Sequence, residues 1–135
     1  MIVADTNLMI RLYVESVISP LARELMLRDP DWAAPVLWRS EFRSTLIKGI
    51  RSKLIDLDDA LRIMDEAESM MSFNEHEMAS DDVLELAATS GCSAYDAEFV
   101  ALARDLRVPL LTTDKELLAK FPDTAVTPEK FLGRS

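Results

Sequence analysis

The chain has 135 residues, 49% of them hydrophobic and only three of them glycine, with a formal net charge of −9. That length and apolar content predict one globular domain, residues 1–135, with its own core; the lone Cys92, the absence of a leader-like start and the lack of any apolar run near roughly 18 residues point to a reduced, cytoplasmic setting away from membranes. A charge of −9 argues against broad adhesion to nucleic acid, which relies on a basic surface, but not against phosphate chemistry in an acidic pocket that divalent cations neutralise, so charge alone decides nothing.

Ile2-Val3-Ala4 reads as a minimal buried strand, stopped by the turn- and cap-forming Asp5-Thr6-Asn7. A short helix or turn carries Leu8 to Val14, and a helix follows from Pro20 to Arg28. Asp29-Pro30-Asp31 breaks it, because proline lacks an amide donor and disfavours a helical residue before it. Trp32 to Val36 reads as a second strand, weakened by Pro35.

From Leu37 to about Ile50 the period turns helical, with Trp38, Phe42, Thr45, Leu46 and Gly49 on one face. Glu41 lies about 60° from Trp38, at the edge of that face, where a carboxylate needs a cation or donors to offset its burial. Arg39, Arg43, Lys48, Arg51 and Lys53 cluster here, the most basic part of the chain, and the ordinary reading of any one of them is a solvated helix surface. The next helix starts near Asp56, with a stripe of Leu57, Ala60, Leu61, Met64, Ala67 and Met71; its methionines read as core filler.

Ser72 to Met78 predicts a short strand and loop, in which His76 reads as a solvated residue. Ser80 is expected to cap a helix that Gly91 ends. Ser93 caps the next, with Asp96 in its first turn and Phe99, Leu102, Ala103 and Leu106 along its apolar stripe. Val108 to Leu111 is a buried run interrupted by Pro109. Lys115 to Phe121 forms a short helix stopped by Pro122, and Ala125-Val126 an edge strand before a polar tail.

Short strands alternating with amphipathic helices predict an α/β fold, a three-layer sandwich with a mostly parallel central sheet flanked by helices. Ligands bind such sheets outside the carboxyl ends of the strands. Asp5 and Asp114 follow apolar runs at that edge, Asp96 opens a helix facing it, and Glu41 lies about one turn into its own helix. Asp5, Asp96 and Asp114 each have a capping explanation as well. Converging in one crevice, the four acids would repel one another without a cation, and all-oxygen ligation selects Mg2+ or Mn2+ over zinc. With His76 the sole histidine, a histidine-pair ribonuclease mechanism is excluded, and no glycine-rich phosphate cradle is present.

The stretches I-V-A-D-T-N, W-R-S-E-F-R, S-A-Y-D-A-E-F-V-A-L-A and P-L-L-T-T-D resemble, in order and spacing, the PIN-domain ribonucleases, and among them the VapC-type toxins of toxin-antitoxin modules. The resemblance covers essentially the whole chain. It implies a magnesium- or manganese-dependent endoribonuclease whose acidic site is Asp5, Glu41, Asp96 and Asp114. Asp5 and Asp96 would bind metal directly, and Glu41 and Asp114 through water or a second ion. Asn7 and Thr112 would support them. Tyr95 is expected to pack, and Glu98, about 160° around the helix from Asp96, falls outside the site. The implied mechanism is in-line attack by metal-activated water on RNA, leaving 5′-phosphate products. A homodimer and a cognate antitoxin are also implied.

Two other readings compete. An aspartate-based phosphatase of the haloacid-dehalogenase pattern would want a second aspartate where Asn7 stands, a response regulator would want a late lysine after a strand, and both leave Glu41 unexplained. A non-catalytic PIN-like interaction module would need no assembled site.

Overall fold

The computed structural model describes residues 1–134. Five short strands, β1 (Ile2–Ala4), β2 (Trp32–Pro35), β3 (Glu75–His76), β4 (Leu110–Leu111) and β5 (Ala125–Val126), form one sheet in the order β3-β2-β1-β4-β5. Every pairing is parallel. The connections carry α1 (Thr6–Met9), a 3-10 turn (Ile10–Leu12) and α2 (Ser19–Arg28), then α3 (Trp38–Arg51) and α4 (Leu57–Met71), then α5 (Ser80–Ser90) and α6 (Ala94–Leu106), and finally α7 (Lys115–Lys120). With the right-handed crossovers that parallel strands adopt, the steps from β1 to β3 put α1 to α4 over one face of the sheet and the steps back through β4 to β5 put α5 to α7 over the other, the expected three layers.

β1, β2 and β4 are covered on both faces, so each of their residues is buried whichever way it points. Pro35 ends β2, where its missing N–H costs no ladder bond: the next donor, Val36 N–H, takes the His76 carbonyl at 2.9 Å. The core runs from β1 through Trp32, Trp38 and Phe42 to Phe99, Val100 and Leu102 of α6. Trp38 and Phe42 meet edge to face at 5.4 Å between centroids.

The structure departs from the sequence reading in several places. Helix α4 is rotated: Ala60, Ile63, Ala67 and Met71 are buried, while Leu57 and Leu61 are 59% and 60% exposed. The stripe drawn through the leucines counted hydrophobicity alone, whereas the smaller Ala60 and Ala67 let the helix approach α3 and β2. Helix α5 begins one residue early, with Ala79 as N-cap and no side-chain cap bond, so Ser80 is its first helical residue and not its cap. His76 is not a solvated loop residue: pairing of β3 with β2 draws it in, and its Nε2 is buried without a partner. The expected polar tail holds a further helix, α8 (Pro128–Phe131), capped by Thr127, whose hydroxyl accepts from Lys130 N–H at 3.1 Å.

The basic cluster is also reduced by one member. Arg39 donates to Glu75 at 2.6 and 2.7 Å and to Glu68 at 2.7 Å, tying α3 to α4 and β3. No helix among the described residues is long and apolar enough to cross a membrane.

Candidate active site

The strand order reverses between β1 and β4, where the chain leaves β1 toward β2 on one side and β4 toward β5 on the other. A crevice at the carboxyl ends of such a pair is where parallel sheets hold ligands. The register Ala4↔Leu111 puts Asp5 and Thr112 side by side, and Asp5 N–H donates to the Leu111 carbonyl at 3.0 Å. Glu41 reaches the same place from the first turn of α3, and Asp96 from the first turn of α6. Asp114 stands at the N-cap of α7, three residues past β4.

Capping and site-building coincide for two of these acids, Asp5 and Asp114. Asp5 caps α1 by accepting from Asn7 N–H at 3.3 Å. Asp114 caps α7 with one oxygen, Oδ1, which accepts from Glu116 and Leu117 N–H at 2.8 and 3.2 Å. Ser93 caps α6 by accepting from Asp96 N–H at 3.0 Å, so the Asp96 carboxylate is not needed as the cap.

Two buried threonines hold two of the carboxylates. Thr112 Oγ1 donates to Asp5 Oδ2 at 2.7 Å and accepts from Asp114 N–H at 3.0 Å, joining the ends of β1 and β4. Thr6 Oγ1 donates to Glu41 Oε1 at 2.9 Å, joining α1 to α3. Thr112 is among the residues the sequence points to, whereas Thr6 is by sequence only a turn residue. Its signal was the unexplained Glu41, a carboxylate beside an apolar face that needed a donor. Asn7 contributes its backbone N–H to Asp5, while its side chain is exposed.

The acids share one field. Burial pushes the Asp5 carboxyl above its ordinary range; the Thr112 hydroxyl and the Asn7 amide partly offset this, and the Asp114 charge adds to it. Burial raises Glu41 too, with the Thr6 hydroxyl opposing and Asp5, Asp96 and Glu98 reinforcing the rise. Asp96 is raised by burial first and then by Asp114, Asp5 and Glu116. Glu98, set aside on the helical-angle argument, therefore lies within electrostatic reach of Glu41: the rim of the crevice is wider than the face of α6 that carries Asp96. Tyr95, expected to pack, is 62% exposed beside Asp96, because α6 turns Ala97 and Phe99 toward the core instead.

Carboxylates whose charged forms are destabilised by burial and by one another are a donor set for a cation, and oxygen ligands fit a hard divalent ion. Among the described residues, no three or more His, Cys, Asp or Glu side chains close into a cluster that wraps an ion by itself.

Comparison with known proteins identifies the family. A family model described as "PIN domain" matches residues 2–123. Ribonuclease VapC3 from Pyrobaculum aerophilum is 32% identical over 130 residues, which span 94% of this chain and 98% of that protein. Among solved structures, PAE2754 from Pyrobaculum aerophilum shares the fold with a TM-score of 0.76 at 24% identity, covering 98% of this chain and 86% of that one. A toxin-antitoxin complex from Klebsiella pneumoniae aligns with a TM-score of 0.71 at 20% identity, over 95% of this chain and 98% of its counterpart. With a family model matching residues 2–123 and a 32% identical relative covered almost end to end, the chain belongs to the PIN domain family.

Proposed function

We propose that the chain, as one nuclease domain over residues 1–135, is a divalent-metal-dependent endoribonuclease acting as the toxin of a toxin-antitoxin pair. The observation that carries this reading is the convergence of Asp5, Glu41, Asp96 and Asp114 at the β1/β4 switch point. The likeness to Ribonuclease VapC3 supports the choice of RNA as substrate, and the Klebsiella pneumoniae complex supports a protein antitoxin as partner. A cytoplasmic setting and a homodimer complete the proposal.

Asp5 and Asp96 would hold Mg2+ or Mn2+ directly, with Glu41 and Asp114 acting through water or a second ion. When bound, such an ion lowers the pKa of a water and offsets charge on the phosphate. The chain's own residues supply position and proton transfer. Thr112 fixes Asp5 Oδ2, so Oδ1 is the oxygen left toward the crevice, shared only with the long Asn7 contact. Thr6 occupies Glu41 Oε1, leaving Oε2 to orient the attacking water and accept its proton, a task suited to a carboxyl whose proton affinity is raised. Attack by water in line with the leaving oxygen gives 5′-phosphate and 3′-hydroxyl ends.

The deciding experiment is incubation of RNA with the protein and manganese or magnesium, beside Asp5→Asn, Asp96→Asn and a chelator control. Cleavage that needs both aspartates and the ion, with 5′-phosphate ends, is expected. Equal cleavage by wild type and both variants, or 2′,3′-cyclic phosphate ends, would sink the reading.

A further inference from the structure

A crevice of about 250 Å3 opens beside the carboxylates, between α1 and α3, walled by Asp5 and Asn7 on one side and by Glu41, Ser44, Thr45 and Lys48 on the other. The four α3 residues stand at i, i+3, i+4 and i+7, one continuous helix face. Chemistry changes along it: a carboxylate at the start, hydroxyls one turn on, and an ammonium about 10 Å along the axis at 1.5 Å per residue.

Two features of Lys48 bear on what the crevice can hold. It is exposed and forms no ion pair among the described residues, whereas Arg39 is held by Glu68 and Glu75, and Lys120, the lysine on the Asp96 side, by Glu116 at 2.7 Å. Its helical neighbours three and four residues away are Thr45, Ser44, Arg51 and Ser52, so no carboxylate within a turn neutralises it. Of the two hydroxyls, Thr45 Oγ1 is engaged by the Glu41 carbonyl at 3.1 Å. The Ser44 hydroxyl remains as a donor beside Lys48. An exposed lysine alone is a solvated side chain; an unneutralised lysine and a serine lining the same crevice as the acids, in a chain of net charge −9, form an anion position beside the acidic site.

The geometry points to a phosphate subsite on α3, in which Lys48 and Ser44 hold the RNA phosphodiester that flanks the scissile one. This rests on the nuclease reading and deepens it: the acids act on one phosphate, and Lys48 fixes the course of the strand by its neighbour. Lys48 lies two helical turns along α3 from Glu41, so it is assigned the neighbouring phosphate and is a positioning residue.

The test uses the full chain with manganese and a mixed-sequence single-stranded oligoribonucleotide, comparing Lys48→Ala, Lys48→Arg and Arg43→Ala. Arg43 is exposed and unpaired on the opposite face of α3, so its loss changes charge without touching the crevice. Lys48→Ala is expected to raise KM about fivefold, the factor for one charge-assisted contact, with kcat within about twofold. Its plot of log affinity against log salt should be shallower by about 0.7, the contribution of one phosphate on a single strand. Lys48→Arg should restore both quantities, and Arg43→Ala should leave both unchanged. Unchanged KM and slope in Lys48→Ala, equal effects of Lys48→Ala and Arg43→Ala, or a loss confined to kcat, each with Asp96-dependent cleavage intact, overturns the subsite alone. Absence of Asp96-dependent cleavage in wild type overturns the nuclease reading and the subsite with it.

Discussion

Asp5, Glu41 and Asp96 are each held in the state that resists ionisation, and the two threonines decide how far. Thr112 and Thr6 have no apolar role that valine could not fill, since both are buried and their methyl groups would survive the exchange. Thr112→Val and Thr6→Val are therefore expected to fold, yet to lose roughly 10- to 100-fold in metal-dependent cleavage, the usual cost of removing a group that orients a ligand. Circular dichroism alongside the rate measurement separates misfolding from misplacement. Stability should move the other way at the acids themselves. Because the folded carboxyls bind protons more tightly than unfolded ones, their penalty is absent below the ordinary carboxylate range and complete above their raised pKa values. Metal-free Asp96→Asn should consequently melt above wild type at neutral pH and converge with it in acid, while its cleavage falls by at least about 100-fold. Melting curves in chelator across pH check the sign; a variant less stable than wild type at neutral pH would contradict it.

Among elements, the ion network of α3 works with the opposite sign. Glu75 is only 13% exposed in its side chain, and the Arg39 guanidinium, with help from Trp38 Nε1 at 2.9 Å, holds its carboxyl below the usual range. That stability is present above the unfolded carboxylate pKa and disappears as pH falls through the lowered one. Arg39→Ala leaves Glu75 charged and largely buried, so it should cost about 2 kcal/mol at neutral pH, with a smaller loss in acid. Chemical denaturation at the two pH values measures the difference. The elements also mark what the sequence made legible. Ile2 to Ala4, Asp5, Ser93 with Asp96, and Gly91, whose φ is +78°, could be read because each carries its own local reason: a buried run, a cap, a left-handed stop. The acids could be gathered because parallel strands share one carboxyl edge. Leu57 and Leu61, His76 and Thr6 were misread because their surroundings are set by residues 25 or more positions away or by helix rotation, which a local pattern does not encode. Arg39 looked like one of five free cations for the same reason: its partners arrive from α4 and β3.

At the scale of the whole molecule, the net charge of −9 and the acidic crevice push in one direction, against the approach of an anionic polymer. A divalent ion should therefore do two things at once. It should raise the melting temperature at neutral pH, by RT ln(1 + [L]/Kd), because it binds the assembled acids and not the unfolded chain; at 100 times Kd that is about 2.7 kcal/mol. Titration with magnesium or manganese in a thermal-shift measurement checks this, and both Asp5→Asn and Asp96→Asn should remove most of the shift. It should also relieve the repulsion locally, leaving Lys48 to mark where the strand continues.

The Thr112 hydroxyl serves β1 through Asp5 and α7 through the Asp114 amide, with one oxygen atom between them. A graft of this chemistry onto another parallel sheet would thus have to carry both strand ends as one cassette. Transplanting the carboxylates one by one would leave each without the anchor that fixes its aim.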